Sequence, residues 1–324
     1  MTHPDTLRGI GESATLARIF PRLPASSHAL LGPGDDSAVI AAPDGRFVVT
    51  TDMMIHGPDF RLAWSTPHDL GWKAAASNLA DVAAMGATPT ALVVAIAAPA
   101  DSPVSLLEGI CDGLREACLA LAPGCGVVGG DLSVSDTLTI AVTAFGDLGG
   151  RDPVLRSGAR PGDVVAVAGV LGHAAAGLRL LFDHAVVDDR PDAAAAAALR
   201  ASQPALVAAQ LAPRPPIGHG VLASRAGATA MLDLSDGLAL DARRLALASG
   251  VAVDLSSAAV GSREALDGGE DHSLLATFPP GSALPGGFTV IGAVVAGAGV
   301  LVDGQDYSER GGWDPYEQWT GARG

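Results

Sequence analysis

A single lysine, Lys73, serves the whole chain of 324 residues. Its 20 basic residues face 35 acids, a net charge of −15 at pH 7. A duplex nucleic-acid binder needs a basic stripe to displace counterions. None is visible, which argues against nucleic acid and admits an anionic ligand only where divalent cations bridge it to the acids. The lone lysine also excludes a GxxxxGK[ST] phosphate loop, and the HRD and DFG set of a protein kinase is missing. GxSxG is absent, and no HxxxH pair occurs. The three cysteines, Cys111, Cys118 and Cys125, are spaced by seven, unlike the short CxxC pairs of zinc sites. They read as small apolar fillers in a reducing compartment. No apolar run reaches the ~18 residues of a membrane span. The stretch MTHPDTLRGIGE lacks a basic region followed by an apolar core. A soluble, cytoplasmic protein without membrane or nucleic-acid partners is expected.

With 48% hydrophobic residues and only 4% aromatics, the core is built of Ala, Val, Leu and Ile. Periodicity predicts a helix over 11–20, then strands over 37–40 and 47–51 around a Pro43-Asp44-Gly45 turn. Thr66-Pro67-His68-Asp69 is a capping box that opens a helix to about Met85. A buried strand over 92–97, a helix over 104–121 and strands over 127–128 and 138–145 complete a first half. The glycine-rich segment 146–162 places a boundary near Gly149, giving domains 1–148 and 149–324. The second half reads as strands over 164–168, 229–232, 251–255, 273–277 and 289–294, with helices after Gly172, in the alanine tract from Ala193, after APRPPIG and through Ala248.

Acids recur where mixed charge is absent. Asp35 and Asp36 follow a glycine turn, and Asp52 ends a strand behind Thr50 and Thr51. Asp81 lies in an apolar helix, on a stripe with Ala74, Ser77, Asn78 and Met85. Asp131 closes VVGGD, Asp233 and Asp236 bracket Ser235, and Glu270 and Asp271 follow two glycines. A lone Asp in a glycine turn is more often a turn-former or cap. Several converging acids are another matter. Two carboxylates 4 Å apart repel by roughly 4 kcal/mol at an effective dielectric near 20, and without a cation they protonate. Mg²⁺ takes hard oxygen ligands, often one or two carboxylates with waters and phosphates. The set suits Mg²⁺ ions that hold a polyphosphate. A structural Ca²⁺ protein is the competing class, but the EF-hand spacing is missing.

The blocks GDDSAVI, TTDMM, NLADVAAMGA, GGD, LRSGARPGD, LSDGL and GGED, with a C-terminal aromatic cluster, occur in this order. In this the chain resembles the thiamine-monophosphate kinase family, within the superfamily of aminoimidazole ribonucleotide synthetase and selenophosphate synthetase. The resemblance implies a mixed α/β fold of two domains. The N-terminal α/β domain would form a dimer-spanning sheet or barrel, and a C-terminal α/β domain would complete the cleft. It implies direct in-line phosphoryl transfer from ATP to thiamine monophosphate. The runner-up is another ATP-dependent enzyme of the superfamily, such as an aminoimidazole ribonucleotide synthetase-like ligase. Carried residue by residue, the family's Mg²⁺ ligands fall on Asp35, Thr50, Thr51, Asp52, Asp81, Asp131, Asp233 and Asp236. Its ATP contacts fall on Gly130, Asp131, Arg156 and Ser235, and its thiamine-side contacts on Glu270 and Tyr316. Two positions depart from the family: Asp59 stands where a histidine is usual, where it would face the thiazolium or aminopyrimidine, and His272 stands where a tyrosine is usual.

Overall fold

The computed structural model describes residues 5–32, 38–309 and 311–312. The first half holds α1 (Leu7–Ile19), β1 (Ala29–Leu31), β2 (Val39–Ile40), β3 (Val48–Ile55), α2 (Pro67–Ala84), β4 (Thr88–Ala98), α3 (Val104–Leu121), β5 (Gly126–Val134) and β6 (Thr139–Asp147). The second holds β7 (Val164–Ala168), α4 (His173–His184), β8 (Val186–Val187), β9 (Arg190–Pro191), α5 (Ala193–Ser202), α6 (Pro204–Leu211), α7 (Ile217–Arg225), β10 (Ala230–Leu234), α8 (Leu238–Ser249) and β11 (Ala252–Leu255). It ends with α9 (Ser257–Val260), α10 (Arg263–Asp267), β12 (Ser273–Phe278), β13 (Phe288–Val295), β14 (Gly299–Val302) and β15 (Gln305–Asp306).

Two open sheets carry the mixed α/β fold. The first has the order β3-β6-β4-β5, and the second β10-β12-β7-β13-β11-β14-β15. Among the described residues of the single chain neither closes into a barrel. The expected capping box is present: the Thr66 hydroxyl accepts from the Asp69 N–H, and the Asp69 carboxylate accepts from the Thr66 N–H. The helix over 104–121 is found with those bounds. The first helix starts earlier than expected and bends at Gly11, whose φ is 79°. The strand expected to stop at Thr51 runs on to Ile55, so Asp52 lies inside β3 and not at its end. VVGGD lies inside β5, which extends the strand expected over 127–128 to Val134.

α2 is the axis of the molecule. One side packs on α3 and the first sheet, the other on α7 and on β10 and β12 of the second. One hydrophobic cluster therefore crosses Gly149, joining Leu79, Leu92 and Val142 to Met231, Leu274 and Phe278. Alternate residues of the second sheet, Val165, Leu232 and Leu275, turn away from α2 into a separate cluster with Leu238 and Leu245 of α8. α2 and α3 cross at glycines. A Cβ on Gly71 would come within 1.9 Å of the Ile110 carbonyl oxygen, and one on Gly113 within 2.0 Å of the His68 carbonyl oxygen. Gly71→Ala must push the helices apart and is expected to cost about 3 kcal/mol, measured as a lower urea midpoint at unchanged slope.

Candidate active site

Polar side chains at Lys73, Ser77 and Asp81 recur every four residues on an otherwise apolar, buried helix and so share one face. Eight residues of rise place Lys73 and Asp81 about 12 Å apart along α2. At the Asp81 end, the Thr50 hydroxyl of β3 donates to Asp81 Oδ2 at 2.8 Å. β3 is an edge strand, and Asn78 Oδ1 accepts the outward Asp52 N–H at 3.1 Å. Thr50, Asp52 and the buried Met54 alternate with Val49, Thr51 and Met53, so the first three share the face toward α2. Asp233 is buried in β10 and is paired across the sheet with Leu274, a core residue on the face toward α2.

Thr50, Asp81 and Asp233 line a cleft between the two sheets of about 810 Å³. Thr50, Asp81, Asp233 and Arg156 form its polar wall, and Phe47, Val49, Leu155 and Met231 its apolar one. Burial, then the charges of Asp233 and Asp52, push the Asp81 carboxyl up to about 7, against the Thr50 hydrogen bond. Burial likewise raises Asp52; His272 opposes this, and Asp233, Glu270 and Asp236 add to it.

The other end of the stripe holds the substrate-side expectations. Lys73 Nζ lies 2.6 Å from Glu270 Oε2 and donates to the Gln210 carbonyl oxygen at 3.1 Å. Burial opposes ionisation of Glu270, yet Lys73 and His272 hold its carboxyl below the usual range. Burial raises Asp59, whose Oδ2 accepts the Ile55 N–H at 2.7 Å. His272 Nδ1 lies 3.3 Å from Asp233 Oδ2. Burial disfavours its charge, but Asp233 and Glu270 outweigh that and raise it. His272 thus connects the two ends. Sequence reasoning had no role for Lys73; a lone lysine inside an apolar helix was the available signal.

Not every expected residue joins this cluster. Asp131 pairs with Ala95, Ala95 with Ala141, and Ala141 with Met53. Asp131 therefore lies on the face of Met53, opposite Asp52, and three strand spacings away, about 14 Å. Thr51 is on that far face too, where its hydroxyl accepts from Thr143 at 3.1 Å. Gly130 sits on the same edge strand, β5. Asp236, expected to be free of bases, is held by Arg244 Nη1 at 2.6 Å, which also binds Asp241. Asp271 is a structural cap: it accepts the Gly172 and Ala174 N–H groups at the start of α4. The Ser235 carbonyl oxygen accepts the Glu270 N–H at 2.7 Å, fastening one loop to the other. Asp35, Asp36 and Tyr316 lie outside the described residues.

Among the described residues no three His, Cys, Asp or Glu side chains are placed to hold one metal ion between them. The donor set nevertheless suits a hard divalent cation. Asp52 and Asp81 are raised partly by neighbouring carboxylates, a penalty that a cation removes. One or two carboxylates per ion, completed by waters and phosphate oxygens, is the usual Mg²⁺ arrangement.

Residues 34–148 match the family model described as AIR synthase related protein, N-terminal domain. Over 97% of its length the chain is 44% identical to thiamine-monophosphate kinase of Mycobacterium tuberculosis, covering 94% of that protein. The chain belongs to the thiamine-monophosphate kinase family. The fold agrees. The crystal structure of this kinase from Aquifex aeolicus aligns with a TM-score of 0.71 at 34% identity, over 83% of this chain and 91% of that one. AaThiL complexed with AMPPCP and TMP aligns at 0.72 and 33% identity, over 86% and 90%. The family relationship disfavours the synthetase-like alternative.

Proposed function

We propose that this protein transfers the γ-phosphoryl group of ATP to thiamine monophosphate, giving ADP and thiamine diphosphate. It would act with Mg²⁺, as a homodimer, in a reducing cytoplasm. The observation that carries the reading is a thiamine-monophosphate kinase fold in which the two ends of the α2 stripe differ chemically: Asp81 lines the cleft, and Lys73 meets Glu270. One end suits a nucleotide: Leu155 and Met231 offer an apolar wall for the base, and Arg156 a fixed cation for phosphate. The other presents Asp59 and Glu270, acids suited to a cationic heterocycle. AaThiL, which shares the fold, was solved with AMPPCP and TMP.

In this reading residues 1–148 bind ATP and Mg²⁺ and dimerise, and residues 149–324 complete the cleft. Asp35, Thr50, Thr51, Asp52, Asp81, Asp131, Asp233 and Asp236 would hold Mg²⁺, and Gly130, Asp131, Arg156 and Ser235 would contact ATP. Asp59, Glu270 and Tyr316 would contact thiamine monophosphate. When bound, Mg²⁺ supplies charge neutralisation between two anionic phosphates. No general base is required, because the attacking phosphate oxygen is ionised at pH 7. Thr50 orients Asp81 through its hydrogen bond.

The far face of the first sheet supports dimerisation. Val49, Met53 and the adjoining Phe47 are 55%, 57% and 57% exposed, and Phe145 packs edge-on against Phe47 at 5.5 Å. Exposed apolar surface of this kind marks an interaction site. Thr51 and Asp131 lie on the same face, so a second copy seated there would bring them into a shared interior. The reducing compartment is supported by three free, buried cysteines. Among the described residues no helix is long and apolar enough to cross a membrane.

The test is product analysis with γ-labelled ATP and thiamine monophosphate. Label in thiamine diphosphate is expected; label only in inorganic phosphate contradicts the reading. Arg156→Ala is expected to raise KM for ATP by about 10–100-fold through loss of charged hydrogen bonds, with KM for thiamine monophosphate changed less than threefold or so, read from initial rates with each substrate varied in turn.

A further inference from the structure

We propose that Lys73 is a positioning residue for the cationic acceptor: its ammonium fixes the Glu270 carboxylate in one place. The inference rests on the kinase reading above.

Lys73 is only 5% exposed. A buried ammonium is costly unless paired and hydrogen-bonded. Its two partners come from distant elements: the carbonyl of Gln210 near the end of α6 at 3.1 Å, and Glu270 in the turn before β12 at 2.6 Å. The ion pair therefore joins a helix of the first half to a turn of the second.

That turn is held rigidly. Glu270 and His272 have φ of 71° and 51°, a left-handed backbone that non-glycine residues adopt at a cost. It persists because its neighbours determine it. The Glu270 N–H binds the Ser235 carbonyl at 2.7 Å and the His272 N–H binds the Leu234 carbonyl at 3.0 Å. Between them the Asp271 carboxylate caps α4. A turn pinned on both sides, with Glu270 tied to the chain's only lysine, is built to present one carboxylate in one place.

The charges explain why a cation is needed beside a cation-binding acid. Asp59 senses Glu270, Lys73 and Arg61, and Glu270 senses Lys73 and His272. A thiazolium carries one fixed positive charge on a quaternary nitrogen with no proton to donate. It must be recognised by field and not by hydrogen bonds, so the recognising carboxylate must be charged and held in place. Without Lys73 the Glu270 carboxylate loses its ion-pair partner, and it protonates or turns away.

The experiment is a double-mutant cycle of Lys73→Met and Glu270→Gln. KM for ATP and for thiamine monophosphate, kcat and thermal midpoint are measured for each protein. Lys73→Met is expected to raise KM for thiamine monophosphate by about 10–100-fold, the range for a lost charged hydrogen bond, with KM for ATP within about twofold. On the Glu270→Gln background the same substitution is expected to change KM for thiamine monophosphate less than about twofold, because Lys73 acts through Glu270. If Lys73→Met does not fold, Glu270→Gln and the double variant, which bury no orphaned carboxylate, carry the comparison. Three results would overturn the assignment: an unchanged KM for thiamine monophosphate in Lys73→Met, both KM values rising together, or a further rise on the Glu270→Gln background. A wild-type protein that does not phosphorylate thiamine monophosphate would instead refute the kinase reading.

Discussion

Asp81→Asn is expected to lower kcat by about a thousandfold while raising the thermal midpoint of the ligand-free protein. The two effects share a cause. Burial, and then the charges of Asp233 and Asp52, push the Asp81 carboxyl up to about 7 from the ordinary 3.8. Its folded-state pKa therefore exceeds the unfolded value, and the folded state binds the extra proton. Stability associated with Asp81 is fully present at low pH and is lost as pH rises from about 4 through 7, with no further change above. Asparagine keeps the shape and an acceptor for the Thr50 hydroxyl, which donates to Asp81 at 2.8 Å, but has no charge to repel. Scanning calorimetry at pH 5 and pH 8 should show the advantage of the variant growing with pH. Catalysis is expected to move the other way, because in the proposed mechanism this charge would help to hold the cation. Removing such a group costs on the order of 10²–10³ in rate or more. A variant less stable than wild type at pH 8, or one with near-normal kcat, would contradict this account.

Met53→Glu is expected to convert the proposed dimer to a monomer and to abolish most activity. Met53 lies within β3 on the far face of the first sheet and is 57% exposed in the single chain. A charge there is harmless to the isolated fold. Across a twofold interface it is buried twice, because the same patch serves both copies. Each uncompensated charge costs several kcal/mol, about 10³-fold or more in dimer affinity. Sedimentation should show wild type at twice the 32.3 kDa chain mass and the variant at one, with unchanged circular dichroism. Activity should fall with the dimer, because Asp131 and Thr51 lie on this face and not beside Asp81. A monomeric wild type, or a fully active monomeric variant, would contradict it.

What the sequence makes legible is local. Thr66 to Asp69 announces the start of α2 because a capping box is closed by residues three apart. The helix over 104–121 is bounded by Pro103 and by Pro123-Gly124. Asp81 stands out because an acid inside an apolar helix needs a partner. Contacts made at long separation are not written locally. Lys73 and Glu270 meet across nearly 200 residues of chain. His272 and Asp233 meet only because β10 and β12 are neighbours. The face on which Asp131 falls depends on strand register, and a shift of one residue would reverse it. Arg244, eight residues beyond Asp236, returns to it only because α8 makes two turns in between. β14 and β15 escaped the sequence reading because they are short and glycine-flanked.

Calorimetric titration of the wild-type protein with a non-hydrolysable ATP analogue, with and without Mg²⁺, tests most directly whether these acids accept a nucleotide only through divalent ions. The account predicts binding in millimolar Mg²⁺ and none detectable in EDTA. Equal affinity in both would contradict it.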